Sequence, residues 1–444
     1  MSEAYWLERS WLGSPGEVAA GVLVTVDDGR FASVERNVAA PPQGAIRLAG
    51  FTIPGLANCH SHAFHRALRG RTQRGRGTFW TWREQMYAVA GRLTPDTYYE
   101  LARATYREMV AAGITSVGEF HYLHHGPDGT PYDEPNAMGL ALVLAARDAG
   151  IRIALLDACY VAAGIGQPPE GVQVRYSDGD AEVWRRRVDD LASSAGPDVV
   201  VGAAIHSVRA VPRDQMRYVV EWAERRHAPL HMHLSEQVAE NRSCTEEYGE
   251  TPTGVFEEAG ALGPLTSAVH ATHLTDADVA MLGETRTRAC FCPTTERDLG
   301  DGIGPSRLLR EAGSPLTLGS DSHAVIDLFE EMRAVEMDER LATQQRGHWS
   351  AAELLAAATH DGHGSLGFPD AGRIETGARA DLVTLDTSTP RTAGTGGGAE
   401  TAVFAATAAD VVHVVAGGRV VATGDDDRQI GLDLDRAISP LWKE

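Results

Sequence analysis

The chain changes texture twice along its length. Over the first fifty residues, short apolar runs at 20–26, 31–34 and 46–51 are separated by turn residues, a pattern that predicts small β-strands. From about Ile53, apolar runs that end in polar residues alternate with longer stretches whose apolar positions recur at helical spacing, as in 94–112. Eight such runs fall at 52–60, 114–121, 152–160, 199–206, 229–234, 268–273, 287–293 and 315–320. Eight βα repeats predict an α/β fold closed into a TIM-like (β/α)8 barrel. After Leu366 the texture returns to β, with ADLVTL at 380–385 and VVHVVAGGRVV at 411–421. The two β-rich ends, 1–51 and 368–444, are expected to pair into one small β-sandwich domain beside a barrel at 52–367. The Gly- and Thr-rich stretch 389–400 reads as a flexible surface loop.

Composition narrows the class. A chain of 444 residues with 43% hydrophobic content is long enough for a large barrel and a smaller domain. No apolar run approaches the length of a membrane span, and the start lacks a basic segment followed by an apolar one, so an untargeted, soluble protein is expected. The five cysteines (Cys59, Cys159, Cys244, Cys290, Cys292) are odd in number and scattered, which suits a reducing compartment such as the cytoplasm. A formal net charge of −21 repels polyanions, so neither nucleic acid nor a membrane surface is expected as a partner. An anionic substrate would need cations placed locally. Lys443 is the only lysine, which leaves no Schiff-base lysine and no lysine-derived metal ligand inside the fold.

The candidate chemistry sits at the ends of the predicted strands, where a barrel carries its active site. His60 and His62 end the first run, and alternate residues of a strand share a face, so both imidazoles can reach one ion. Alone, an HxH pair says little. It gains weight from HMHLSEQ at 231–237, VHATHL at 269–274 and LGSDSH at 318–323, which end the fifth, sixth and eighth runs. Three histidines with one carboxylate form an ordinary zinc donor set that leaves room for a water.

With these motifs the sequence resembles the amidohydrolase superfamily over nearly its whole length, and more narrowly its single-metal deaminases. Within them it is most similar to the formimidoylglutamate deiminases. The strings that carry this likeness are HSHAFHRALRGRT from His60, FWTWREQMY from Phe79, EFHYLHH from Glu119, HSVRAVP from His206 and TERDLGDGIGP from Thr295. The resemblance implies His60, His62, His233 and Asp321 as ligands to one zinc or another divalent ion, with His231 deeper in the barrel. It implies Glu236 and His270 as proton carriers beside Asp321. His273 has the opposite strand parity and reads as structural, and His124 and His125 read as loop residues.

The same resemblance implies Arg83, Tyr122, His206 and Arg209 as the substrate-facing set, for a dicarboxylate that arginine forks would grip. His65 departs from the family, standing where glutamine is usual. Binuclear relatives use a carboxylated lysine on the fourth strand, but here that strand ends in His206. The implied reaction is hydrolysis of N-formimino-L-glutamate to N-formyl-L-glutamate and ammonia, in a homodimer. Two other readings stay open: a nucleobase or nucleoside deaminase on the same scaffold, and an inactive amidohydrolase-like assembly protein.

Overall fold

The computed structural model describes residues 3–13, 18–73, 77–194, 196 and 199–443. Eight parallel strands form the barrel in chain order: Leu56–Ser61, Ile114–His121, Arg152–Cys159, Val199–Ile205, Leu230–Leu234, Thr266–His270, Arg288–Phe291 and Leu316–Leu318. The ring closes where Ser61 bridges Asp321. There the Asp321 N–H donates to the His60 carbonyl at 3.0 Å, and the His62 N–H donates to the Asp321 carbonyl at 3.3 Å. Strands enclosed on both faces read as continuous apolar runs, and every residue of Ile114–His121 is buried.

The outer helices follow from capping and periodicity. Helix Pro95–Ala111 begins with proline at its first turn after Thr94, whose hydroxyl accepts the Thr97 N–H at 3.3 Å. Its buried positions include Tyr98, Leu101, Ala102, Thr105 and Met109, one stripe at helical spacing that packs on the barrel. Among the described residues no helix is long and apolar enough to cross a membrane.

The small β unit expected of the chain ends is built as one continuous, mixed, seven-stranded sheet. Its order is Arg419–Thr423, Val411–Ala416, Leu382–Leu385, Ile46–Pro54, Glu3–Trp11, Val18–Asp27 and Arg30–Glu35. Only Glu3–Trp11 and Ile46–Pro54 run parallel. Gly55 is the hinge between sheet and barrel. A Cβ there would meet the Thr115 hydroxyl at 2.2 Å, so only glycine lets the chain pass. Beside it, buried Asp381 pairs with Arg152 of the third barrel strand, and this ion pair ties the sheet to the barrel floor.

Several boundaries differ from the apolar pattern. Residues 52–54 belong to the small sheet, so the first barrel strand starts at Leu56. The sixth strand covers Thr266–His270 and stops before His273, because His270 and Ala271 take left-handed backbone angles (φ 72° and 47°). The stretch 389–400 is pinned rather than loose: Thr389 and Arg391 both bond Asp410, Thr392 bonds the Asp386 carbonyl, and its last two residues begin helix Ala399–Phe404. Strand Glu3–Trp11 and helix Asp427–Ile438 carried no clear signal in the pattern.

Candidate metal centre and active site

The first barrel strand carries a bulge at Cys59 and His60. Residues 58 to 61 cover the length that Val117 to Glu119 cover on the next strand. The slip places Ser61 opposite Glu119. Its hydroxyl donates to Glu119 Oε2 at 2.8 Å, and the Ala63 N–H donates to Oε1 at 2.7 Å. Burial pushes the Glu119 carboxyl up to about 8 despite these donors. With Ser61 anchored on the outer side, His60 and His62 turn inward against Phe120, with ring centroids 5.2 and 5.5 Å away.

Four donors converge in the barrel mouth. His60 Nε2 lies 3.2 Å from His233 Nε2 and 3.4 Å from Asp321 Oδ1, and His62 Nε2 lies 3.3 Å from the same oxygen. A tetrahedral ion with bonds of about 2.0–2.1 Å spaces its donors about 3.3 Å apart. The ring faces are set from behind, since Nδ1–H of His62 donates to the Phe120 carbonyl at 2.9 Å and that of His233 to the His206 carbonyl at 2.8 Å. Burial lowers all three imidazoles below their ordinary range and so keeps them neutral, as ligands must be. Burial alone would raise Asp321, but His60, His270 and His62 hold it well below the usual carboxylate range. The donor set fits a divalent cation. His231 lies apart, its Nε2 3.5 Å from the Ser365 carbonyl.

Above this centre one cavity collects His62, His65, Arg83, Tyr122, His206, Arg209, His233, Glu236, His270 and Asp321, with Phe79, Trp82, Tyr87, Tyr160 and Tyr176 as an aromatic wall. Glu236 Oε1 stands 3.9 Å from His270 Nε2, and its Oε2 stands 3.9 Å from the Arg209 guanidinium. His270 Nε2 is 3.8 Å from Asp321 Oδ2. Burial disfavours a charged His270, but Glu236, Glu296 and Asp321 outweigh it and raise its pKa well above the ordinary value. His273 lies outside the cavity, its carbonyl accepting from Asn241 at 2.6 Å.

The two arginines are held differently. Arg83 rises from helix Phe79–Ala90 and stacks on Trp80 and Tyr87, its guanidinium 4.6 and 5.3 Å from their centroids. Among the described residues it has no carboxylate within ion-pair distance. Arg209 donates through Nε to buried Glu240 at 3.1 Å. Both act on the same ring: burial pushes His206 well below its ordinary value, and Arg209 and Arg83 push it further. His65 Nε2 bonds the Tyr122 hydroxyl at 2.9 Å, and burial draws His65 down to about 3, so it is neutral.

His124 and His125 do follow the second strand in irregular chain, but both are buried. His121, His124 and Asp157 bring ligand atoms within 4.8 Å of one another. Asp157 already accepts from Arg187 at 2.9 and 2.8 Å and from Trp184 at 2.9 Å, so a guanidinium occupies the place of a cation. Glu240, Glu296 and the three tyrosines of the wall carry no functional signal in the apolar pattern. A helical glutamate usually faces solvent. The only signal for Glu296 was its place in the TERDLGDGIGP string.

A barrel whose strand ends bring three histidines and an aspartate to one centre has the donors of a metal-dependent hydrolase. The amidohydrolase family pattern matches residues 51–421, and the chain belongs to that family. It is 37% identical over 377 residues to a formimidoylglutamate deiminase of Pseudomonas aeruginosa, covering 82% of each chain. It is 28% identical over 406 residues to a 5-methylthioadenosine/S-adenosylhomocysteine deaminase of Haloarcula marismortui, covering 90% of this chain and 88% of that one. Among solved structures, an amidohydrolase from Brucella melitensis superposes with a TM-score of 0.91 at 30% identity, over 99% of this chain and 100% of that one.

Proposed function

We propose that the protein hydrolyses the formimino group of N-formimino-L-glutamate to N-formyl-L-glutamate and ammonia, with one zinc ion held by His60, His62, His233 and Asp321. The observation that carries this reading is the convergence of Arg83 and Arg209 on one cavity whose base is the metal centre. Two guanidinium forks suit a substrate with two carboxylates. In a chain of net charge −21 they supply the local cations that a dianion requires. Likeness to the Pseudomonas aeruginosa deiminase supports the same substrate.

A zinc ion bound there polarises the substrate and lowers the pKa of water from about 16 toward about 7. The chain's own groups do the rest. Asp321, with its second oxygen near His270 Nε2, accepts the proton of the attacking water. Glu236 and His270, which face each other at the cavity wall, pass the water's protons on to the departing nitrogen, and ammonia leaves as the C–N bond breaks. Tyr122, fixed by His65, and His206 face the bound substrate.

The aromatic wall of Phe79, Trp82, Tyr87, Tyr160 and Tyr176 favours a second reading, a flat nucleobase or nucleoside. The test is ammonia release from zinc-loaded protein offered N-formimino-L-glutamate beside guanine, adenosine and cytosine. Preference for the diacid is expected. Preference for a neutral ring would overturn the proposal in favour of the second reading.

A further inference from the structure

Glu296 is a buried carboxylate placed next to others, which needs a reason. It sits on helix Pro293–Leu299, and its Oε1 folds back to accept the Cys292 N–H at 2.8 Å. The same oxygen stands 3.3 Å from His270 Nδ1. Capping a seven-residue helix does not call for a charge, and the neighbouring Glu236 and Asp321 make a third carboxylate more costly to bury. Its value lies in what it does to His270. With Nδ1–H given to Glu296, Nε2 is left as the ring position at which a proton can be gained and released. That nitrogen is the one facing Asp321 at 3.8 Å and Glu236 at 3.9 Å.

The same turn reaches the other proton carrier. The Asp301 N–H donates to the Glu296 carbonyl at 2.9 Å, and Asp301 Oδ1 accepts from the side chain of Gln237, the residue after Glu236. Asp301 is itself buried, and its Oδ2 has no partner.

We infer that Glu296 is a positioning residue which fixes the tautomer and aim of His270, and that Asp301 of the same turn steadies Glu236 through Gln237. His270 then takes a proton at Nε2 and returns it from Nε2, while Nδ1–H stays with Glu296 throughout. The inference rests on the proton-carrier role proposed for His270 and deepens it.

The test uses zinc-loaded, full-length protein and two readouts. The first needs no substrate: a buried imidazole N–H held by a carboxylate gives a proton resonance downfield of the amide region, identified by its loss in His270→Asn. The second is the split between kcat and KM for N-formimino-L-glutamate, with zinc content by elemental analysis. Glu296→Met is expected to lose the resonance and lower kcat about ten- to hundred-fold, with KM and zinc unchanged, at or below the roughly hundred-fold or greater worth of the proton carrier it positions. Glu296→Gln keeps an acceptor oxygen, so it is expected to keep the resonance and hold kcat within about three-fold of the parent.

A Glu296→Met protein that retains the resonance or the parent's kcat overturns the inference, as does a Gln variant as impaired as the Met variant. Parental turnover in His270→Asn removes the proton-carrier reading itself. Loss in His270→Asn without loss in Glu296→Met removes only the role of Glu296. Should Glu296→Met fail to fold, Gln237→Met at a partly exposed position tests the same turn. A fall in kcat of about three- to ten-fold at constant KM is expected there, a small part of the worth of the proton carrier Glu236, and an unchanged kcat overturns the cradle.

Discussion

Arg83 and Arg209 share a cavity, yet their surroundings set different outcomes for the same substitution. If each grips a carboxylate, Arg83→Met and Arg209→Met should each lower kcat/KM for the diacid about ten- to hundred-fold, the worth of a charge-assisted contact of about 1.5–3 kcal/mol. Lysine should rescue only partly, because it lacks the planar fork. Thermal melting separates the two. Arg83 rests on aromatic rings, so its loss should leave Tm unchanged, whereas loss of Arg209 strands buried Glu240 and should lower Tm. Equal Tm values would contradict the pairing. At Glu236, the Gln variant should keep its metal and lose turnover by about two orders of magnitude. Asp321→Ala and His233→Ala should lose bound zinc instead, and elemental analysis distinguishes the two kinds of loss. Arg83, Arg209 and Glu236, which line one cavity, were singled out by resemblance. Glu240 and Glu296 were not, because their meaning lies in a partner 31 or 26 residues away in sequence.

At the scale of elements, the histidine-rich end of the second strand is held by an ion-pair knot between two packed layers. Arg187 of helix Ala181–Ser194 bonds both Asp157 of the third strand and Asp178. Burial would raise both carboxyls, but Arg187 outweighs it and each lies below the ordinary range. A carboxylate with a depressed folded pKa contributes stability above its unfolded value of about 4 and loses it as the pH falls through the folded value. Arg187→Met should therefore cost about 3–5 kcal/mol at neutral pH, by leaving buried charges unpaired. Denaturant melts should show the gap to the parent narrowing as the pH falls, starting above the ordinary carboxylate value of about 4, because without Arg187 burial raises the stranded carboxyls and they protonate early. A constant gap would argue against the pairing. Element type was legible wherever apolar spacing was regular, as in Ile114–His121 and Pro95–Ala111. The bulge at Cys59 and His60 and the stop at His270 were not, since each depends on what the neighbouring strand or turn bonds.

For the whole molecule, the proposed metal ligands lie on or just after the first, fifth and eighth strands, so one ion would clasp the ring at its point of closure. An ion that binds the folded chain alone, at a thousand times its dissociation constant, stabilises it by about 4 kcal/mol. Chelation should accordingly lower Tm and zinc should restore it, as measured by calorimetry; an unchanged Tm would mean the clasp carries no stability. The sequence by itself determined the eight βα repeats of the barrel and the β texture of the two ends, because burial of alternating or continuous apolar runs is a local constraint that each segment expresses alone. Only the tertiary structure decided which of the 17 histidines meet. His60 and His233 are 173 residues apart and touch through ring closure, a bulge and backbone carbonyls that aim each imidazole. Those are relations between segments, and periodicity within one segment does not encode them.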